Sequence, residues 1–290
     1  MRRGIGGILL FAILPGLTLG QGRIEQIRRD ANRPEPSKID SKDPPDESPD
    51  NCSDGRNSDD EDSPFGNLLG EIGVKVFLSP FTAPRVSLGD DDWSTKALFP
   101  DYPYFNNHRG HLYFPDLDNG PDITIRVRPW SIRVAGEEGN DFCGMNRVGI
   151  RASLDTSTRF GLQTNWNFLS ESLDGGNRDS TVLNDTNLTF RFAQGERAQF
   201  HTGIGMRFLF DSDATHTGFN LLYSADFFPR KPWTASAVFD LGNVGSAFIL
   251  HGRATIGATW QHFDLYAGYD FMRIGSVSIQ GPMLGLRFWY

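Results

Sequence analysis

Few residues in this 290-residue chain have the types and spacing that could do chemistry. Asp211, Asp213 and His216 fall in one short run, Asp-Ser-Asp-Ala-Thr-His, between two patterned segments. A carboxylate beside an imidazole can orient it as a general base towards water, so these three are the catalytic candidates. The same composition is also that of an ordinary turn. His108 and His111 stand three apart, as a metal pair might, but no cysteine or helical pattern accompanies them. They read as part of a surface loop, and no metal or other cofactor is expected.

A third group is larger. Between residues 122 and 290, polar side chains recur at every second position, among them Arg128, Arg147, Arg151, Arg159, Gln163, Asn165, Arg191, Arg207, Arg253, Asp264 and Arg287. Asp226, Asp240 and Asp270 share the pattern. If all of these face one enclosed space, they line a lumen. Buried charges must pair or stay hydrated, so arginines facing aspartates would fill it. The outcome is a satisfied polar core or, if water persists, a narrow anion-favouring pore.

The elements that must position these residues are strands. The run from Arg159 to Phe168 alternates polar or small with apolar residues, and the run from Gln199 to Phe208 repeats the pattern. Period two marks a strand with one apolar and one polar face. Ten such runs fall near 124–136, 144–155, 158–169, 181–194, 198–210, 217–228, 233–242, 247–260, 263–273 and 278–290. Pro129 interrupts the first, which leaves eight or twelve strands open as well. The gaps alternate: Gly136–Cys143, Ser170–Ser180, Asp211–His216, Gly242–Ser246 and Ile274–Val277 are the longer set. Asp155–Ser157, Gly195–Arg197, Pro229–Pro232 and Gln261–His262 are the shorter.

The segments ahead of the strands differ in kind. Arg2 and Arg3, an apolar run from Ile5 to Leu14 and the small-residue end Thr18-Leu19-Gly20 have the layout of a secretory signal peptide over residues 1–20. The apolar run is shorter than the roughly 20 residues a spanning helix needs. Residues 21–63 are Pro-rich and acidic and read as a disordered linker. The net charge of −8 is concentrated there, between Asp40 and Asp62. Residues 64–121 read as an irregular segment, with Gly73–Leu78 as a short strand. No basic stripe with interleaved aromatics exists, so nucleic acid is not an expected partner.

The chain ends Gly285-Leu286-Arg287-Phe288-Trp289-Tyr290. Here it resembles bacterial outer-membrane β-barrel proteins, whose last strand carries an assembly signal. Gly285, Phe288 and Tyr290 match that signal, while Met283 stands where a polar residue is usual and Tyr290 where Phe is commoner. The resemblance covers roughly residues 122–290. It implies an all-β, antiparallel up-and-down transmembrane barrel of about ten strands in the bacterial outer membrane. Its partners would be outer-membrane lipid and the barrel assembly machinery. The alternating gaps fit short periplasmic turns and longer outer loops, which puts the N-terminal region in the periplasm. Phe168, Phe210, Trp233, Trp260, Phe288 and Tyr290 lie near run ends, as in an aromatic girdle. On that topology Cys52 and Cys143 lie on opposite sides and do not pair. The expected role is structural or that of a narrow pore with a charged, filled lumen. The alternatives are a cell-surface barrel enzyme, such as an omptin-like hydrolase, or a receptor; a soluble secreted β-sandwich binding module comes third.

Overall fold

A computed structural model describes residues 22–34, 79–115, 125–173, 176–212 and 214–290. The signal peptide, Gly73–Leu78, Cys52 and Asp213 lie outside the described residues.

Ten strands follow one another in sequence and in space: β3 (Trp130–Asn140), β4 (Met145–Thr156), β5 (Phe160–Ser172), β6 (Arg178–Gly195), β7 (Ala198–Phe210), β8 (Thr215–Arg230), β9 (Trp233–Val244), β10 (Ala247–Trp260), β11 (Phe263–Ile274) and β12 (Val277–Trp289). Each pairs antiparallel with the next, and β12 pairs back onto β3, so the sheet closes as a barrel with no free edge. The seam runs from Met283 opposite Gly139 to Trp289 opposite Arg133. Reciprocal backbone hydrogen bonds between Ile132 and Tyr290, 2.8 and 2.9 Å, fasten the chain end to the first barrel strand.

Alternation decides what each face meets. On β12, Pro282, Leu284, Leu286 and Phe288 face out while Met283, Gly285, Arg287 and Trp289 are buried inside. The outer wall is accordingly apolar: Leu188, Ile204, Ile256, Leu265 and Leu284 are each more than half exposed. Gly285 is required by what crosses it, because a Cβ there would stand 2.4 Å from the ring of Tyr266.

The strands overrun several expected gaps. β3 begins after Pro129 and continues past Gly136 to Asn140, while residues 127–128 (β2, Val127–Arg128) leave the barrel to pair with β1 (Phe99–Pro100). The gaps expected at Gly242–Ser246 and Ile274–Val277 shrink to Gly245-Ser246 and Gly275-Ser276. The contrast in loop length is therefore lost over the last four strands, because backbone pairing satisfies more N–H and C=O groups than side-chain patterning revealed.

Two expectations for the N-terminal region are corrected. Within the linker expected to be disordered, residues 23–31 form helix α1 (Arg23–Ala31). Within the irregular segment, residues 79–88 form helix α2. Both are too short to persist alone, so packing on the barrel must hold them. Turns 157–159, 196–197, 231–232 and 261–262 surround one mouth, here mouth A. The turns after β3, β5, β7, β9 and β11 surround mouth B.

Candidate functional site

The inward set is stacked in layers along the barrel. In the layer nearer mouth B, Arg207 bridges Asp185 and Asp240. His251 lies between Asp240 and Asp270, 2.8 and 2.9 Å from their oxygens. Arg253 then joins Asp270 at 2.8 Å to Glu137 at 2.9 Å. Glu137 also receives Arg147 at 2.7 Å and the Tyr266 hydroxyl at 3.0 Å. Cation and anion alternate across the barrel from Asp185 to Glu137, so each charge removed from water faces at least one of opposite sign. In the layer nearer mouth A, Arg133 holds Asp226 at 2.6 Å and Asp155 at 2.9 Å, and Arg287 holds Asp264 at 3.3 Å. A cavity of about 30 Å³, lined by Arg133, Arg151, Gln163, Asp226 and Arg287, lies in this layer. It accepts about one water and no solute.

The other residues assigned to the lumen fall as follows. Asn165 and Arg191 are buried, and Arg191 donates to Gln194 at 2.9 Å and to the Thr156 carbonyl at 3.0 Å. Arg159 lies in a turn of mouth A. Arg128 sits on β2, outside the barrel strands, and pairs with Asp101 at 3.2 Å. Glu137, Asp155 and Asp185 escaped the sequence reading. Glu137 belonged to an expected loop, Asp155 to an expected turn, and Asp185 stands in Asn184-Asp185-Thr186-Asn187, where polar residues on both faces hide the alternation.

Mouth A is closed by the chain that leads into β2. Asp90 accepts both terminal nitrogens of Arg159 at 2.7 Å, and the Gln194 N–H at 3.1 Å. His111 is fully buried rather than on a surface loop, packed against Phe99, Phe228 and Trp289. Burial, with the Arg133 charge adding to it, pushes its pKa down to about 3, so it is a neutral packing ring. Tyr104 donates to the Trp233 carbonyl at 2.7 Å, and burial pushes its pKa up to about 12.

Mouth B is closed by α1. Ile24, Ile27 and Ala31 occupy one helix face and bury against an inward apolar layer that includes Leu169, Leu183, Leu209, Ile249, Ile274 and Ile279. The expectation of a uniformly polar interior fails at this level. Glu171 accepts the N–H groups of Arg23 and Ile24 at 3.1 and 3.0 Å, which caps the helix start with a negative charge. Arg23 pairs with Asp141, and Arg28 grips both Asp179 and Asp211. Those hydrogen bonds raise the Arg28 pKa. Burial would raise that of Asp211, but the bonds from Arg28 and the Ser212 N–H outweigh it and lower it. Ser246 donates from both N–H and hydroxyl to the last helical carbonyls, and Ser276 does the same to the Asp30 carboxylate. The preceding glycines, Gly245 and Gly275, have positive φ and lie so close to Ala31 and Asp30 that a Cβ would stand 2.3 and 2.5 Å away. Asp211 is thus engaged by Arg28 of the helix. His216 stands at the start of β8, opposite Leu209.

A closed, ten-stranded antiparallel barrel with an apolar outer wall and a charge-filled lumen defines the class of this protein. Comparison with known families and with curated proteins finds no match. Among solved structures it is similar to CdiB from Acinetobacter baumannii, with 7% identity and a TM-score of 0.29, over 53% of this chain and 40% of that one. It is also similar to the KdgM porin, with 12% identity and a TM-score of 0.27, over 55% of this chain and 98% of that one. The beta domain of the Bordetella autotransporter BrkA gives 12% identity and a TM-score of 0.30 over the same shares. The closure of the sheet itself, rather than these distant likenesses, establishes the fold.

Proposed function

We propose that this chain is an outer-membrane β-barrel with a structural role, its lumen serving as a polar core rather than an open pore. The observation that carries the reading is the inversion of polarity across the wall, with apolar residues outward and ion pairs inward. Closure gives every strand an antiparallel neighbour on both sides, so the backbone is paired within the sheet wherever the strands overlap, which a bilayer demands. Outward aromatics near mouth A include Phe160, Trp233, Trp260, Phe263 and Tyr290, and near mouth B Phe168, Phe210, Phe219 and Phe248, the placement of two interfacial girdles. Outer-membrane lipid is the surrounding partner, and Gly285, Phe288 and Tyr290 are offered to the assembly machinery. The N-terminal region and mouth A face the periplasm. The filled lumen favours this role over the narrow pore, and the Asp211–Arg28 pair favours it over a hydrolase.

The test is reconstitution of the full chain into planar lipid bilayers, with heat-modifiable migration as the sign of a folded barrel. The expected result is a heat-modifiable species without steady conductance. A stable, ohmic channel overturns the closed-lumen role, and a chain that stays folded and monomeric in plain buffer overturns the membrane barrel.

A further inference from the structure

Helix α2 lies against the outside of the barrel wall. Phe81 packs on the rings of Phe192 and Tyr223, with centroids 5.3 and 5.8 Å apart. The Tyr223 hydroxyl donates to the Pro80 carbonyl at 2.8 Å. Leu88 covers Gly195, the last residue of β6, where a Cβ would stand 3.3 Å from it. Tyr223 belongs to the outward row of β8 with Phe219, Leu221 and Phe227. It lies about 20 Å along that strand from the mouth A end at Arg230. The start of α2 is therefore beside the apolar wall rather than beyond its rim.

The two faces of the helix differ. Phe81, Pro84, Arg85 and Leu88 are partly buried, the helical spacing of one face turned to the barrel. The other face exposes Ser79, Thr82, Ala83, Val86 and Ser87, with Val86 at 75%. A helix face turned to water ordinarily carries charge, and this one carries none. Its polar demand is low as well: Pro80 and Pro84 have no N–H, and the Ser87 hydroxyl donates to the Pro84 carbonyl at 2.9 Å. The single charge among residues 79–88 is Arg85, whose guanidinium carbon lies 3.6 Å from the centre of the Trp93 ring. Arg85 also donates to the carbonyls of Asp90 and Asp91. Trp93 in turn stacks on Phe190 at 5.5 Å, and Phe190 packs on Phe160 of the mouth A girdle at 5.2 Å. The girdle thus continues onto a segment outside the barrel strands.

We propose that α2 and Trp93 form a lipid anchor, seated in the boundary between acyl chains and headgroups of the mouth A leaflet. Its occupant is phospholipid: the acyl region meets Thr82, Ala83 and Val86, and Trp93 with Arg85 stands at headgroup level, as amphipathic side chains do at an interface. Continuity with the outward aromatic row carries the assignment. The anchor rests on the membrane-barrel reading above, and the experiment separates the two.

The full chain with Cys52→Ser and Cys143→Ser receives one cysteine at a time, is labelled with the environment-sensitive fluorophore NBD, and is refolded into lipid nanodiscs, whose two faces both meet the buffer. Val86→Cys and, one turn earlier, Thr82→Cys report α2. Ile204→Cys reports the outward wall of β7, and Arg197→Cys the water at mouth A. Heat-modifiable migration is required of each. Positions 82 and 86 are expected to lose most of their emission to lipids carrying a nitroxide near the headgroup and little to aqueous iodide. Position 204 should respond to nitroxides deep in the acyl chains, and position 197 to iodide. Iodide quenching at 82 and 86, with lipid quenching retained at 204, overturns the anchor and leaves the barrel in place. Shielding of 82 and 86 from both quenchers assigns that face to a second copy of the chain and also overturns the lipid contact. Iodide quenching at 204 overturns the spanning barrel, and the anchor falls with it.

Discussion

The two mouths of this barrel are closed by different physics. Mouth A is stoppered by the segment that runs directly into the barrel, with aromatic rings and a buried bidentate pair, Asp90–Arg159. Its residues stand closer in sequence to the first barrel strand than α1 does, so a shorter loop is closed. Mouth B is covered by a remote nine-residue helix held by partly exposed ion pairs and three apolar side chains. The contrast teaches that a closure built from adjacent chain belongs to the fold, while one built from remote chain is an equilibrium.

Four measurements in detergent would break or sharpen this contrast. The largest effect is expected for Arg159→Met, which leaves Asp90 buried without its cation at a cost of about 3–5 kcal/mol. Proteolysis at Arg85 and Lys96 should accelerate while α1 stays protected. If both closures loosen together, they are not independent. Ile27→Asp should undock α1 at a cost of about 3 kcal/mol, read as lost hydrogen-exchange protection at Arg28 to Ala31, with mouth A unchanged.

Acid should separate the mouths without mutation. His111 has a folded pKa pushed down to about 3 by burial, so the released state binds the proton first. Mouth A is therefore fully stable above about pH 6.5 and weakens below it, by at most about 1.4 kcal/mol per pH unit. With the helix docked, Asp30 of α1 and Asp211 of the turn after β7 have lowered pKa values, despite burial, because Ser276 and Arg28 donate to them. Their contribution is present above the ordinary carboxylate value and is lost only as pH falls below about 4. Proteolysis against pH should thus open mouth A first, and His111→Phe should flatten its profile above pH 4. An identical profile for both mouths would remove the distinction. Ser246→Ala should have the smallest effect, about 1 kcal/mol on α1 protection, seen in hydrogen exchange of the last helical turn.

How much was legible varies by residue. Strands such as Gln199–Phe208 announced themselves because one face had to be apolar and the other polar. Glu137 did not, since Gly136-Glu137-Glu138-Gly139 reads as a turn and only pairing with β4 and β12 makes it a strand. His111 looked like a loop residue because its burial depends on Phe228 and Trp289, more than a hundred residues away. α1 was invisible, as three apolar residues in nine cannot hold a helix without a surface to bury against.

The sequence by itself determined the period-two strands and the opposite polarity of their faces, because side-chain alternation is local and set by the pleat; closure of the sheet fixed their number at ten. Only the tertiary structure decided which cation meets which carboxylate, that an apolar layer underlies mouth B, and that separate segments close the two ends. Those facts depend on the register and stagger of ten paired strands, and no local pattern encodes which side chains that stagger brings across the lumen.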